Sequence, residues 1–129
     1  MSALKLAQSL IQIKSVSPYD EGCFDLIETA LVPMGFEIQR IPELNCETLL
    51  AKFGDSGKVF CFLGHTDIVP SGPEEEWMSP PFEAKIIKGE LIGRGAADMK
   101  GSVAVFIESV KNFLKDHPKP NFQIWIMLT

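Results

Sequence analysis

Apolar residues near the start of the chain recur at helical spacing. Leu4, Leu6, Ala7, Leu10, Ile11 and Ile13 predict a first amphipathic helix, interrupted by residues 15–18. Asp20 is a candidate N-cap for a second helix, with Phe24, Ile27, Leu31 and Met34 on one face. Pro33 weakens its last turn and Gly35 ends it. The period then changes to two: residues 36–41 alternate as a half-buried strand does, and residues 48–53 are a second strand candidate. After a Gly-Asp-Ser-Gly turn, residues 58–63 form a near-continuous apolar run. That pattern predicts a strand buried on both faces of a mostly parallel sheet, with Cys61 as a small core residue. A proline-rich loop occupies residues 64–81, and two short strands at 82–87 and 90–92 meet at Lys88-Gly89. Val103, Phe106, Ile107, Val110, Phe113 and Leu114 mark a helix ending near Asp116, ahead of Pro118. Residues 122–128 are a second buried-strand candidate. The order predicts an α/β fold, a mixed, largely parallel sheet flanked by helices. A strand as apolar as Ile124 to Leu128 needs cover on both faces. Residues 1–129 therefore read as the N-terminal part of a longer domain.

Composition narrows the function. Of 129 residues, 46% are apolar and 22% charged, which suits a packed domain rather than a disordered chain. The formal net charge of −5 and only two arginines, Arg40 and Arg94, argue against a nucleic-acid partner. They also mean that an anionic substrate must be drawn by local positive groups or metal ions. Three cysteines without a C-x-x-C pair fit a reducing compartment. The first ten residues lack the apolar stretch of a signal peptide, and no run reaches membrane-spanning length. The expectation is a cytoplasmic protein with a small-molecule substrate and no membrane partner.

Two constellations carry chemistry. Gly64-His65-Thr66-Asp67 follows an apolar strand directly, where ligand sites of open α/β sheets gather. A neutral imidazole there is a good zinc ligand. Asp67, two residues on, points to the same side and can accept a hydrogen bond from the second ring nitrogen of His65. A polar turn after a strand is the plainer reading. The run Gly93 to Gly101, with Asp98 at its centre, precedes the long helix. There Asp98 is either an ordinary N-cap or a carboxylate able to bridge two ions. The run is not a P-loop, and Asp98 stands where a dinucleotide fingerprint needs glycine. His117, at the helix end, reads as a surface residue favoured by the helix dipole. Glu74 to Glu76 reads as a solvated loop face. Trp77, Pro80, Pro81 and Phe82 read as core packing, or alternatively as a wall of the substrate pocket.

Taken together, GHTDIVP, W-x-x-PPF and GRGAADMKGS resemble the co-catalytic zinc hydrolases, a family of aminoacylases, carboxypeptidases and amino-acid deacylases. Trp77 to Phe82 and the double alanine before Asp98 look most like its desuccinylase branch, with acetylornithine deacetylase or an aminoacylase as the neighbouring reading. The resemblance implies amide hydrolysis with two Zn2+ ions, Co2+ being possible at one site. It assigns His65 as a ligand of one metal, Asp98 as the carboxylate bridging both, and Asp67 as the catalytic-site residue that orients His65. It implies a cis peptide between Asp98 and Met99. It also implies a general-base glutamate expected just after Thr129, a separate dimerisation domain and a homodimeric whole protein. On that reading residues 1–129 alone are inactive. A non-catalytic metal-binding or interaction fragment is the alternative of another class.

Overall fold

The computed structural model describes all residues from Met1 to Thr129. Helix α1 (Ala3–Ile11) starts where the Ser2 hydroxyl accepts from the Lys5 N–H, and it buries Leu6, Ala7, Leu10 and Ile11. Helix α2 (Cys23–Leu31) buries Cys23, Phe24, Ile27 and Leu31. Its N-cap is Gly22 rather than Asp20, at φ 100°, a conformation that suits glycine. Asp20 still serves the helix end, because its carboxylate accepts from the N–H groups of Gly22 and Phe24. Gly35 closes the segment at φ 95°, as expected.

Strands β1 (Glu37–Glu43) and β2 (Cys46–Phe53) form an antiparallel hairpin. Strand β3 (Val59–Gly64) and strand β6 (Gln123–Leu128) complete a mixed sheet in the order β1-β2-β6-β3. The mixed α/β architecture is the expected one, and within this chain parallel pairing is confined to β3 and β6. Strands β4 (Lys85–Ile87) and β5 (Glu90–Ile92) make a separate hairpin. It turns through Lys88 and Gly89, both at positive φ, as tight hairpins require. The Gln8 side-chain amide ties this hairpin to α1 through the Ala84 carbonyl, at 2.9 Å. Helix α3 (Gly101–Asp116) buries Val103, Ala104, Ile107 and Val110. No helix is long and apolar enough to cross a membrane.

One face of the four-stranded sheet carries the core. Leu49 and Ala51 of β2 and Ile124, Ile126 and Leu128 of β6 pack with the apolar faces of the three helices. Strand β3 departs from expectation. It is the edge strand, and Val59, Cys61 and Leu63 alternate onto the side that no helix of this chain covers. Leu63 is 67% exposed and Cys61 is exposed rather than a core residue. On the other side Phe62 stacks on Phe106 of α3, with centroids 4.2 Å apart. Strand β6 likewise buries only alternate residues.

Candidate metal centre

His65 and Asp98 lie 33 residues apart, and the fold brings them into contact: His65 Nε2 is 3.0 Å from Asp98 Oδ1. The parallel pairing of β3 with β6 ends at Gly64, so His65 is the first residue past the strand's carboxyl end. Backbone bonds from Thr129 to Gly64 and from Thr66 to Thr129 hold that exit against the end of β6. Asp98 comes from the other side, in the wide turn Ala96–Lys100 ahead of α3. The turn is entered through Gly95 at φ 83°, where an added Cβ would fall 2.7 Å from Ile68 Cγ2.

The ordinary N-cap reading of Asp98 does not hold. Its φ/ψ of −130°/92° is extended, and no side-chain cap bond forms at the start of α3. Its side chain is 87% exposed and turned to His65. The Asp98–Met99 peptide is cis, as the resemblance implies.

The His65 ring is oriented differently from the expected pattern. Nδ1 lies 3.0 Å from the Asp67 backbone carbonyl and 3.4 Å from its carboxylate Oδ1, so the main chain rather than the side chain supplies the near acceptor. The other carboxylate oxygen, Asp67 Oδ2, accepts from the Ser17 hydroxyl. Residues 15–17 are themselves pinned beside the loop by Ser17 N–H to the Ile68 carbonyl and Ile68 N–H to the Ser15 carbonyl. Both neighbours of Nδ1 are acceptors, so a neutral ring carrying its hydrogen on Nδ1 is satisfied there and turns its Nε2 lone pair to Asp98. Two acceptors facing each other, Nε2 and the Asp98 carboxylate, are complementary only with a proton or a cation between them.

That donor set fits zinc chemistry: one imidazole nitrogen fixed by a backbone carbonyl, and one open carboxylate. It is part of a site, because no group of three or more His, Cys, Asp or Glu side chains in this chain is arranged to hold an ion. The other histidine, His117, is exposed at the end of α3 and rests on Phe113, at 4.7 Å between centroids.

His65, Asp67 and Asp98 share a cleft of about 340 Å³ with Ser17, Trp77 and Arg94. Trp77 is thus a cleft wall, while Pro81 of the same apolar knot is fully buried. Glu74 to Glu76 are exposed, as expected. Sequence reasoning did not find Ser17, Arg94 or Lys100 as site residues. Lys100 is wholly buried behind the turn, its ammonium donating to the Leu10 and Ile13 carbonyls at 2.7 Å each. Burial pushes its pKa down, against the pull of Cys23 nearby.

Peptidase family M20/M25/M40 matches residues 61–129, more than half of the chain and the part that holds both motifs. The chain belongs to that family. It is similar to the succinyl-diaminopimelate desuccinylase of Thioalkalivibrio sulfidiphilus (strain HL-EbGR7), at 47% identity over 126 residues. That alignment covers 98% of this chain and 34% of the relative. The desuccinylase of Hydrogenovibrio crunogenus (strain DSM 25203 / XCL-2) is likewise 47% identical over 127 residues, with the same coverage. The chain thus spans about a third of the length of the curated relatives it matches. Among solved structures, human carnosine dipeptidase 1 superimposes with a TM-score of 0.84 at 24% identity, over 98% of this chain and 31% of that one. An M20 family metallo-carboxypeptidase from Sulfolobus solfataricus gives 0.82 at 21%, over 99% and 30%. At such identities the likeness is one of fold.

Proposed function

We propose that this chain is the N-terminal part of the catalytic domain of a cytoplasmic, homodimeric amide hydrolase. It converts N-succinyl-L,L-diaminopimelate and water to succinate and L,L-diaminopimelate. The observation that carries the reading is the 3.0 Å approach of His65 Nε2 to Asp98 Oδ1 at the carboxyl end of β3. The names of the curated relatives, at 44–47% identity along 98% of the chain, support the substrate.

In the mechanism His65 would hold one of two zinc ions (cobalt could replace one), and the Asp98 carboxylate would serve both. The Asp67 carbonyl, 3.0 Å from Nδ1, would accept the His65 ring hydrogen and so free Nε2 as a ligand. Bound metal supplies Lewis-acid chemistry, making water acidic near neutrality and stabilising negative charge on a polarised carbonyl. The proton acceptor is a glutamate outside these 129 residues. Thr129 lies beside Thr66 and Asp67 in a common pocket. Residues 1–129 alone, with one imidazole and one bridging carboxylate, do not close such a site and should show no hydrolysis.

The test uses the full-length protein. Succinate release from N-succinyl-L,L-diaminopimelate should exceed release of the acyl group from N-acetylornithine and N-acyl amino acids. His65→Ala and Asp98→Ala should each lose metal, measured by atomic emission, and at least about a thousandfold in kcat/KM. Two variants with a full complement of zinc would show the assigned roles to be wrong.

A further inference from the structure

Arg40 and Arg94 are the only arginines, and their surroundings differ. Arg40 is surrounded by the carboxylates of Asp25, Glu28 and Glu47. Arg94 meets no carboxylate. Its guanidinium lies over the Trp77 ring, 5.0 Å from the centroid. Its one hydrogen bond is long, from Nη2 to the Ser71 carbonyl at 3.4 Å, and its Nε is buried with no acceptor. A guanidinium presents five N–H donors in a rigid fork, and here most lack a partner. The ring beneath it fixes the plane of that fork. The Trp77 indole N–H donates to the same Ser71 carbonyl, at 3.0 Å, which holds the wall in place.

Arg94 also occupies a telling position. It lines the cleft that holds His65, Asp67 and Asp98, and it is the one cationic side chain among the residues lining that cleft. The chain as a whole carries −5, so an anionic ligand approaching the two aspartates is repelled unless a local positive group receives it. We infer that Arg94 is a substrate-binding residue whose guanidinium receives a carboxylate of an anionic N-acyl amino acid while the amide lies at the His65–Asp98 pair. The inference rests on the amide-hydrolase reading above and adds to it the group that selects for charge. The carboxylate supplies the acceptors that the fork lacks in the free chain, in the two-bond geometry that arginine favours.

The experiment compares Arg94→Gln and Arg94→Lys with the unaltered full-length protein on three substrates. These are N-succinyl-L,L-diaminopimelate, its analogue with the succinyl carboxylate as a neutral amide, and its analogue with both amino-acid carboxylates as amides. With the parent substrate, Arg94→Gln should raise KM about tenfold or more and change kcat less, as expected for lost ground-state binding. Arg94→Lys should recover part of the loss. For one analogue, the one lacking the carboxylate that Arg94 holds, variant and unaltered protein should share the same KM. Normal turnover of that analogue also reports an intact fold. An unchanged KM for the parent substrate overturns the inference. So does an equal rise on all three substrates, the mark of a residue that only pins the loop through Ser71. Calorimetric titration of succinate, and separately of L,L-diaminopimelate, into the zinc-loaded protein tests Arg94 without turnover. Weaker binding of one product by Arg94→Gln upholds the inference, and equal binding of both overturns it. Failure of the unaltered protein to cleave any of the three substrates counts against the amide-hydrolase reading alone.

Discussion

Single side chains set the geometry of the centre, and Lys100 is the one whose removal should be felt most in stability. Its ammonium is buried, which is costly for any charge, and two carbonyls at the end of α1 offset that cost by accepting from it at 2.7 Å each. Each carbonyl also has one backbone donor, Ile13 N–H to Leu10 at 3.1 Å and Ser15 N–H to Ile13 at 2.9 Å, and the ammonium fills the second acceptor position of both. Lys100→Met keeps most of the volume and removes every donor. We expect a loss of about 2 kcal/mol, because two carbonyls lose a charged donor and each keeps a single backbone N–H. A shift of the urea midpoint at constant slope would register it, and an unchanged midpoint would show that water replaces the ammonium. Lys100 lies between α1 and the Asp98 turn, so the same variant should bind zinc more weakly in the full-length protein.

The elements show the same dependence on one polar group apiece. Helix α2 begins at a glycine that has no side chain to cap it, and Asp20 reaches the exposed N–H groups from outside the helix. Asp20→Ala should therefore cost about 1 kcal/mol, and Asp20→Asn, which keeps an acceptor, clearly less. Burial raises the Asp20 pKa above its ordinary 3.8, and the two N–H donors and Arg40 lower it only in part. The folded state therefore holds the Asp20 proton more tightly than the unfolded chain does. The stability this brings is fully present below 3.8 and is lost as pH rises through the higher folded value. Relative to Asp20→Asn, the unaltered protein should gain stability between pH 7 and about pH 4, read as a difference in thermal midpoints. If the Asp20→Asn difference stayed flat across that range, the carboxyl would be unperturbed. Helices α1 and α3 and the Lys88-Gly89 hairpin were legible in the sequence because periodicity and turn chemistry are local. The environment of β3 was not, since an apolar run reads alike in an edge strand and a central one. In the site, His65 and Asp98 stood out by motif. Ser17 and Lys100 did not, because their partners lie 50 and 90 residues away and no short pattern links them.

At the scale of the molecule, the sheet is finished on one side only. The helices seal Leu49, Ala51, Ile124, Ile126 and Leu128, while Val59, Cys61 and Leu63 leave β3 with an apolar, uncovered flank and a free edge. Unpaired N–H and C=O groups beside apolar side chains are a template for pairing with another strand. A net charge of −5 gives limited protection, because the flank itself carries no charged residue between Val59 and Gly64. The 129-residue chain should accordingly self-associate as its concentration rises, through β3 rather than through the helices. Leu63→Lys puts a charge on the flank at a site 67% exposed, so its cost to the fold should stay below about 1 kcal/mol. Val105→Lys, on the exposed face of α3 at 57% exposure, makes the same change of charge away from the edge. Sedimentation velocity over a concentration series should show Leu63→Lys shifted towards monomer and Val105→Lys unchanged. Equal shifts from both would assign the association to net charge, and a shift from Val105→Lys alone would assign it to the helical face.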